Sequence, residues 1–590
     1  MKKFLAFTVL ISVIIFSGTA FSAEIDLNLL NKLKETVEIF TNSNEKDNTE
    51  PAEVSVKVEN ALTTCPNNSV YMVLKLDNTE ALLKWIFSRE NIDTFMPLIL
   101  ASEDSNEILG TVEVISAFAE NTPLKNAALV VGISDGKIPL PFFQMAFTVK
   151  PELSPIIKRI SDGSADAVDI AKLFLGFDSP LAAFAESMIK VEKANDNILK
   201  IDNELFMKAS DNGMIILGMS ENDIKASLNA VEHSDSKLFG KYERKFSGKN
   251  VAFFHVDTKF AAKLDDDDDK DEDFNIEYLQ KVFDKPLNVE LDFERMPDKF
   301  IISTALNLRE AFTKYYAEKT FKDRDNVRVK GGYLNLLGKN SPLFALSGFL
   351  DLSLFKDYGH PDTDKIWKNV MRNLRNRFGL SEDDVIEALR GPFSLTVNDN
   401  VSVEGIKIPA VYTSIFGKPA KVFDILSKSP HFHKVQEGVL QIDSSVSPIS
   451  CIVENKNDML GLHFADLENI SSKPEVKPAL NELMNKLSIS SYWIDFEGIR
   501  SWITAPENGI LIMLEPLARF TGNGEIFDDV KSVLDAEFSI PSISFWADSQ
   551  EIMYTQFNIS EINSSNGLLR KIIGLSRKYM NKANKTEEKK

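Results

Sequence analysis

The sequence predicts an α+β fold made of two tandem repeats, each a mainly antiparallel sheet with helices packed on one face. Three observations predict it. Similar blocks recur in the same order along the two halves of the 590-residue chain. Apolar strand-like runs follow one another through short turns, which favours antiparallel pairing. Most of these runs lead into helical patterns, and their partial alternation fits strands covered by helices.

The first repeated block is an apolar run ending in Leu-Asp before a helical pattern, at residues 69–86 and again at 341–358, so that Asp77 and Asp351 stand 274 apart. The second is a turn, Lys-Ile-Pro, an apolar run and Lys-Pro before a helix. Lys137-Ile138-Pro139 returns as Lys407-Ile408-Pro409 at an offset of 270, and Lys150-Pro151 as Lys418-Pro419 at 268. Pro139 and Pro409 fit the first residue of a strand, and Pro151 and Pro419 the first turn of a helix. The offset then falls to about 240: Ile198–Asp202 is matched by residues 439–443, and Asp257 by Asp495. An extra helix between Asp166 and Lys193 accounts for the drop. Ordered blocks at a nearly constant offset mark duplication.

Local punctuation supports these elements. Asp211-Asn212-Gly213 reads as a hairpin turn between residues 205–209 and 214–218. Ser381-Glu382-Asp383-Asp384 opens a helix with a cap and early acids, and Gly391-Pro392 closes it. A late strand pair ends each half, residues 287–293 with 300–306 and 543–546 with 552–557.

The N-terminus reads as an export signal. Lys2 and Lys3 precede an apolar run from Phe4 to Phe16, and Ala20-Phe21-Ser22-Ala23 suits signal peptidase, with Glu24 opening the mature chain. The predicted organisation is a signal peptide at 1–23, a short helix and flexible linker at 24–59, repeat 1 at 60–325, repeat 2 at 326–580 and a charged tail at 581–590. No later stretch reaches about 18 uninterrupted apolar residues, so no stable membrane span is expected after cleavage. The expected location is periplasmic or secreted.

The formal charge is -20, and loss of Lys2 and Lys3 makes it -22. Such a surface repels nucleic acid and anionic lipid over its average face. Phe outnumbers Tyr and Trp, 41 against 11 and 5, which favours buried packing over sugar-stacking surfaces. Cys65 and Cys451 lie far apart in sequence and at non-equivalent places in the two repeats, so although an oxidising compartment permits a bond, two buried small side chains are the favoured reading.

No catalytic pattern survives scrutiny. Asp77, Asp257, Asp351 and Asp495 end strands where helices begin, and Asp is a favoured helix N-cap. Gly132-Ile133-Ser134-Asp135-Gly136 matches GxSxG, but Pro139 and Pro141 follow where a helix is needed, so Ser134 fits a hairpin turn. Ser210-Asp211-Asn212 lacks the Lys-Thr-Gly of penicillin-binding proteins, which occurs nowhere in the chain, and the Ser-x-x-Lys from Ser43 to Lys46 lies in the linker. The acidic run from Asp265 to Asp273 fails each EF-hand frame; starting at Asp265, Lys270 stands where Gly is needed and Ile276 where Glu is needed. His431 and His433 share a strand face, but the six histidines (with His233, His255, His360 and His463) include no HExxH. Gly332 to Gly338-Lys339 has one residue too many for a phosphate loop and lacks its hydroxyl, since Asn340 follows. No residue is therefore assigned a catalytic, cofactor-binding or metal-ligating role, and no cofactor is expected.

Residues 381–470 run as acidic helix, Leu-Arg-Gly, strand, hairpin, Lys-Pro helix, Val-Leu-Gln-Ile-Asp strand and a last strand before a helix. This pattern resembles a group of exported bacterial proteins known only as containing a domain of unknown function. The resemblance implies an exported α+β repeat and transfers no catalytic residue. The leading expectation is a non-enzymatic binding or scaffold protein, its partner an unknown protein or an apolar ligand. The alternatives are a carrier of an apolar ligand such as lipid, suggested by the Phe excess, and a hydrolase with a dispersed site.

Overall fold

The computed structural model describes residues 61, 70–77, 124–133, 141–175, 189–202, 205–232, 245–246, 251–256, 282–296, 299–321, 328–353, 361–403, 406–418, 420–445, 447, 450–508, 510–522, 524–535, 542–558, 575 and 578. The segments expected as signal peptide, linker and tail, and the acidic run at 265–273, lie outside them. The chain divides into two compact units, Met1–Phe274 and Asn275–Lys590.

The first unit contains strands β1 (Val70–Asp77), β2 (Leu124–Ile133), β3 (Pro141–Val149), β4 (Val191–Lys193), β5 (Leu199–Ile201), β6 (Leu205–Ala209), β7 (Ile215–Gly218) and β8 (Val251–Val256). All its pairings are antiparallel, and they give the order β4-β5-β6-β7-β3-β2-β1-β8. Pro151 opens a 3-10 turn that runs into helix α1 (Ser154–Asp162), as its fixed φ favours. Helix α2 (Ala167–Leu175) lies in the stretch expected to carry an extra helix. Arg159 on α1 donates two N–H groups to the buried carboxylate of Asp169 on α2.

Both alternating sets of side chains are buried in this sheet. Met145, Phe147, Ile215 and Leu217 pack with Ile156 and Ile160 of α1 and Ile170 and Leu173 of α2. Their strand neighbours Ala128, Ala146 and Ile216 pack on the opposite face with Ile224 and Val231 of α3 (Glu221–Glu232).

The second unit contains β9 (Leu287–Met296), β10 (Lys299–Leu306), β11 (Val329–Lys330), β12 (Phe344–Leu350), β13 (Gly391–Val403), β14 (Ile406–Phe416), β15 (Phe432–Gln436), β16 (Val439–Ile442), β17 (Ile452–Lys456), β18 (Met459–Phe464), β19 (Leu487–Ser488), β20 (Ser490–Asp495), β21 (Ser542–Ala547) and β22 (Ile552–Asn558). Antiparallel pairing gives the order β15-β16-β17-β18-β14-β13-β12-β20-β21-β22-β10-β9. Strands β11 and β19 form a separate short pair. The pair β9–β10, which the sequence reading set at the end of the first repeat, is bonded in the structure to β22 in this second unit. Short helices α4 (Leu308–Ala311) and α5 (Lys314–Phe321) follow it.

On one face, α7 (Glu382–Ala388) and α8 (Ala420–Ser427) bury Val385, Ala388, Val422 and Leu426 against Leu440, Val453 and Leu460. Helix α6 (Pro361–Phe378) lays Met371, Leu374 and Phe378 on the same cluster. On the other face, α9 (Pro478–Asn485) buries Leu480 and Leu483 against Trp493, Ala345 and Trp546. The expectation of helices on one face is thereby corrected in both units. Strands buried on both faces need a covering layer on each, and a one-faced alternation is lost.

The placement of Pro409 is a second correction. It lies inside β14, opposite Asn400, where the register slips past Asp399. Proline has no N–H for the ladder, and a bulge absorbs the gap. Asp399 takes φ 46° there.

Candidate functional site

The expected capping acids are spent on the fold wherever their side chains are described. Asp495 accepts a hydrogen bond from Gly498 N at 3.0 Å, capping α10 (Phe496–Thr504), and its other oxygen meets Lys477 Nζ at 2.5 Å. Asp351 accepts from Ser353 N at 3.0 Å and faces Arg390 at 3.3 Å. Asp257, Ser134 and the histidines 233 and 360 lie outside the described residues, as do the side chains of Asp77 and His255. On either side of the Ser134 segment, Ile133 of β2 pairs with Pro141 of β3.

The segment dismissed as a phosphate loop is a strap. Residues 331–341 run over the sheet face that carries Ser347, Ser394, Thr396, Asn398, Tyr412 and Ser414. Asn335 N donates to Ser394 Oγ at 2.8 Å, Asn335 Nδ2 to Ser414 Oγ at 2.9 Å, and Thr396 Oγ1 donates to Asn335 O at 3.2 Å. Asn398 Nδ2 donates to Leu337 O and Asn340 O, both at 2.8 Å. Lys339 N and Asn340 N donate to the Asp399 carboxylate at 2.8 Å each. The glycines serve contact rather than phosphate: Gly332 (φ 57°) sits so close to Ser488 and Ser491 that a Cβ would fall within 2.9 Å of both hydroxyls. At Gly338 (φ 99°) it would collide with Asp399 and Asn398.

One end of this polar face is buried chemistry that sequence did not single out. Tyr412 donates to Asp399 Oδ2 at 2.9 Å, and burial together with that carboxylate pushes its phenol well above the ordinary range. Its cross-strand neighbour His463 is fully buried, with neither ring nitrogen hydrogen-bonded. Glu454 stands 3.6 Å from Nε2, too far for a normal hydrogen bond. Gly461 leaves room for the ring, where a Cβ would collide with Nε2. Two further buried or half-buried groups are shifted and tied into the fold. Burial lowers the Lys208 ammonium, which donates to the carbonyls of Ser161, Asp196 and Asn197. Burial, then Asp548, pushes Tyr554 up to about 12. Among the described residues no group of three or more His, Cys, Asp or Glu is placed to hold a metal ion. His433 is exposed on β15, while His431 packs edge-on against Phe378.

The surface is less fully spent. Trp502 of α10 donates to Asn400 Oδ1 at 2.5 Å, and Asn400 Nδ2 donates to Asn508 Oδ1 at 3.1 Å. The bulge at Asp399 thus fixes the base of a helical hairpin, α11 (Ile510–Phe520) and α12 (Gly524–Leu534). Arg519 joins the two helices by pairing with Glu515 at 3.0 Å and Asp528 at 3.2 Å. Lys578 pairs with Glu525 and Asp529 of α12 at 2.8 and 2.6 Å. The hairpin leaves Ile512, Leu514, Leu517, Ile526 and Val530 exposed, and Phe520 is 90 % exposed. Comparison with family models, curated proteins and solved structures finds no match for the chain. Among the described residues no helix is long and apolar enough to cross a membrane.

Proposed function

We infer that this is an exported, non-catalytic binding or scaffold protein built from a duplicated α+β module, with the α11–α12 hairpin as its working surface. The observation that carries the reading is the set of exposed large apolar side chains on that hairpin. Large apolar side chains grouped on a surface mark an interaction site, and here six are held on a salt-bridged frame whose base is bonded to the sheet. Its complement is an apolar face on a partner protein.

The duplication is supported by strand order. The sequence β4-β5-β6-β7-β3-β2-β1-β8 recurs, element for element, as β15-β16-β17-β18-β14-β13-β12-β20. Helix α1 follows β3 as α8 follows β14, and α2 occupies the stretch where the sequence offsets change.

Affinity purification from the native host, comparing the wild-type chain with an Ile512→Asp/Phe520→Asp variant, tests the surface. A partner held by the wild type and lost with the variant, at unchanged thermal midpoint, supports it. Equal capture by both chains removes it. A lipid seen in the native mass spectrum of the wild type and absent from the variant would assign the surface to an apolar ligand instead. Export is tested by N-terminal sequencing of the mature protein, which is expected to begin at Glu24.

A further inference from the structure

Helix α6 carries a charge pattern opposite to that of the chain. Across an acidic protein of formal charge -20, α6 carries five cations against two acids, Asp362 and Asp364 at its start, and residues 365–378 contain no acid. Lys365, Lys368, Arg372 and Arg375 are all exposed and follow one another at i, i+3, i+7 and i+10. That spacing puts them on one line along the helix, about 15 Å long at 1.5 Å per residue. Asn369, Asn373 and Asn376 form a second exposed line beside it. On the far side of the asparagines stand Ile366, 65 % exposed, Val370 and Arg377.

The helix is held by its opposite side. Trp367 donates from Nε1 to Glu382 at 3.0 Å, and Met371, Leu374 and Phe378 pack on the core. The outer face is therefore presented on a fixed support. Lys365, Arg372, Arg375 and Arg377 pair with no carboxylate among the described residues, and Arg372 bonds only the Asn369 amide of its own helix. The acids that follow on α7 are mostly engaged: Asp384 with Ser381 and Lys421, Glu387 with Lys418, and Glu382 with Trp367.

We propose that the outer face of α6 docks the protein on an anionic phospholipid surface. Charge complementarity selects an anionic occupant. The exposed Ile366 and Val370 select a bilayer over a soluble polyanion, because apolar side chains beside cations gain only where an acyl boundary lies next to phosphates. Lys365, Arg372 and Arg375 of the cation line engage lipid phosphates, the asparagines bond glycerol and headgroup oxygens, and the two apolar side chains enter the boundary. The net negative charge of the remaining surface repels the same membrane, so docking is confined to this face and weakens as salt rises.

The test is flotation of the full mature chain with vesicles of phosphatidylcholine alone and vesicles in which phosphatidylglycerol replaces part of it. Binding only to the second kind is expected. Lys365→Gln/Arg372→Gln/Arg375→Gln should weaken partitioning roughly 100-fold, since each cation near an anionic leaflet contributes about fivefold. Ile366→Ser should weaken it at constant charge, and neither variant should shift the thermal midpoint, because every altered residue is exposed. Equal binding to both vesicle types, full binding by the triple variant, or binding to duplex DNA without binding to vesicles would overturn the proposal. Retention by Phe520→Asp with loss by the triple variant assigns lipid docking to α6, and the reverse assigns it to the hairpin.

Discussion

Ser394 holds a backbone that has no strand of its own to pair with. Its hydroxyl accepts from Asn335 N at 2.8 Å at a buried position. Ser394→Ala leaves that N–H unsatisfied, and the expected loss is about 1–3 kcal/mol in denaturant unfolding. Gly338→Ala should cost at least as much, because its positive φ and the Asp399 and Asn398 side chains both exclude a Cβ. Burial pushes the Cys451 thiol up to about 11. A raised thiol pKa keeps the neutral form, so in a Cys65→Ser chain iodoacetamide should alkylate Cys451 slowly at pH 8. The rate should climb as pH rises toward 11, and unfolding in urea should abolish the protection. Rapid alkylation of the folded chain at pH 8 would contradict the burial described for this thiol.

Helix α10 shows how one capping acid settles an element. Asp495 ends β20, turns the chain and satisfies Gly498 N in the first turn. Asp495→Ala should lower stability by about 1–2 kcal/mol. Asp495→Asn keeps the accepting oxygen and should recover most of that loss; a variant as weak as Asp495→Ala would move the weight to the Lys477 ion pair. The same reasoning was legible in advance for α7, where Ser381 and Asp384 form the expected capping box. The caps at Ser381 and Asp495, the Asp211-Asn212-Gly213 turn between β6 and β7, and Pro151 opening the 3-10 turn that leads into α1 are local devices, and they appear where the sequence placed them. Pro409 was misplaced at a strand start because its tolerance inside β14 depends on a bulge in the facing strand, which lies several residues away in β13.

At the scale of the molecule, charge and apolar surface are distributed unevenly, and the predictions on the hairpin and on α6 belong here. The net charge gives no sign of a basic helix face, yet the cations of α6 are evident in its sequence once its helical period is known. The exposed hairpin was harder to find. Residues 510–534 are assigned nothing from the sequence, and only the packing shows that Phe520 and Ile512 point away from the core. By itself the sequence determined the alternation of strands and helices, the antiparallel habit, and the caps and turns, because each rests on contacts within a few residues. The tertiary structure alone decided that both faces of each sheet are covered, that β10 joins β22, that the strap at 331–341 covers a polar sheet face and bonds to it, and that His463 sits buried beside Tyr412. Those outcomes depend on which distant side chains compete for the same buried surface and the same unpaired backbone groups.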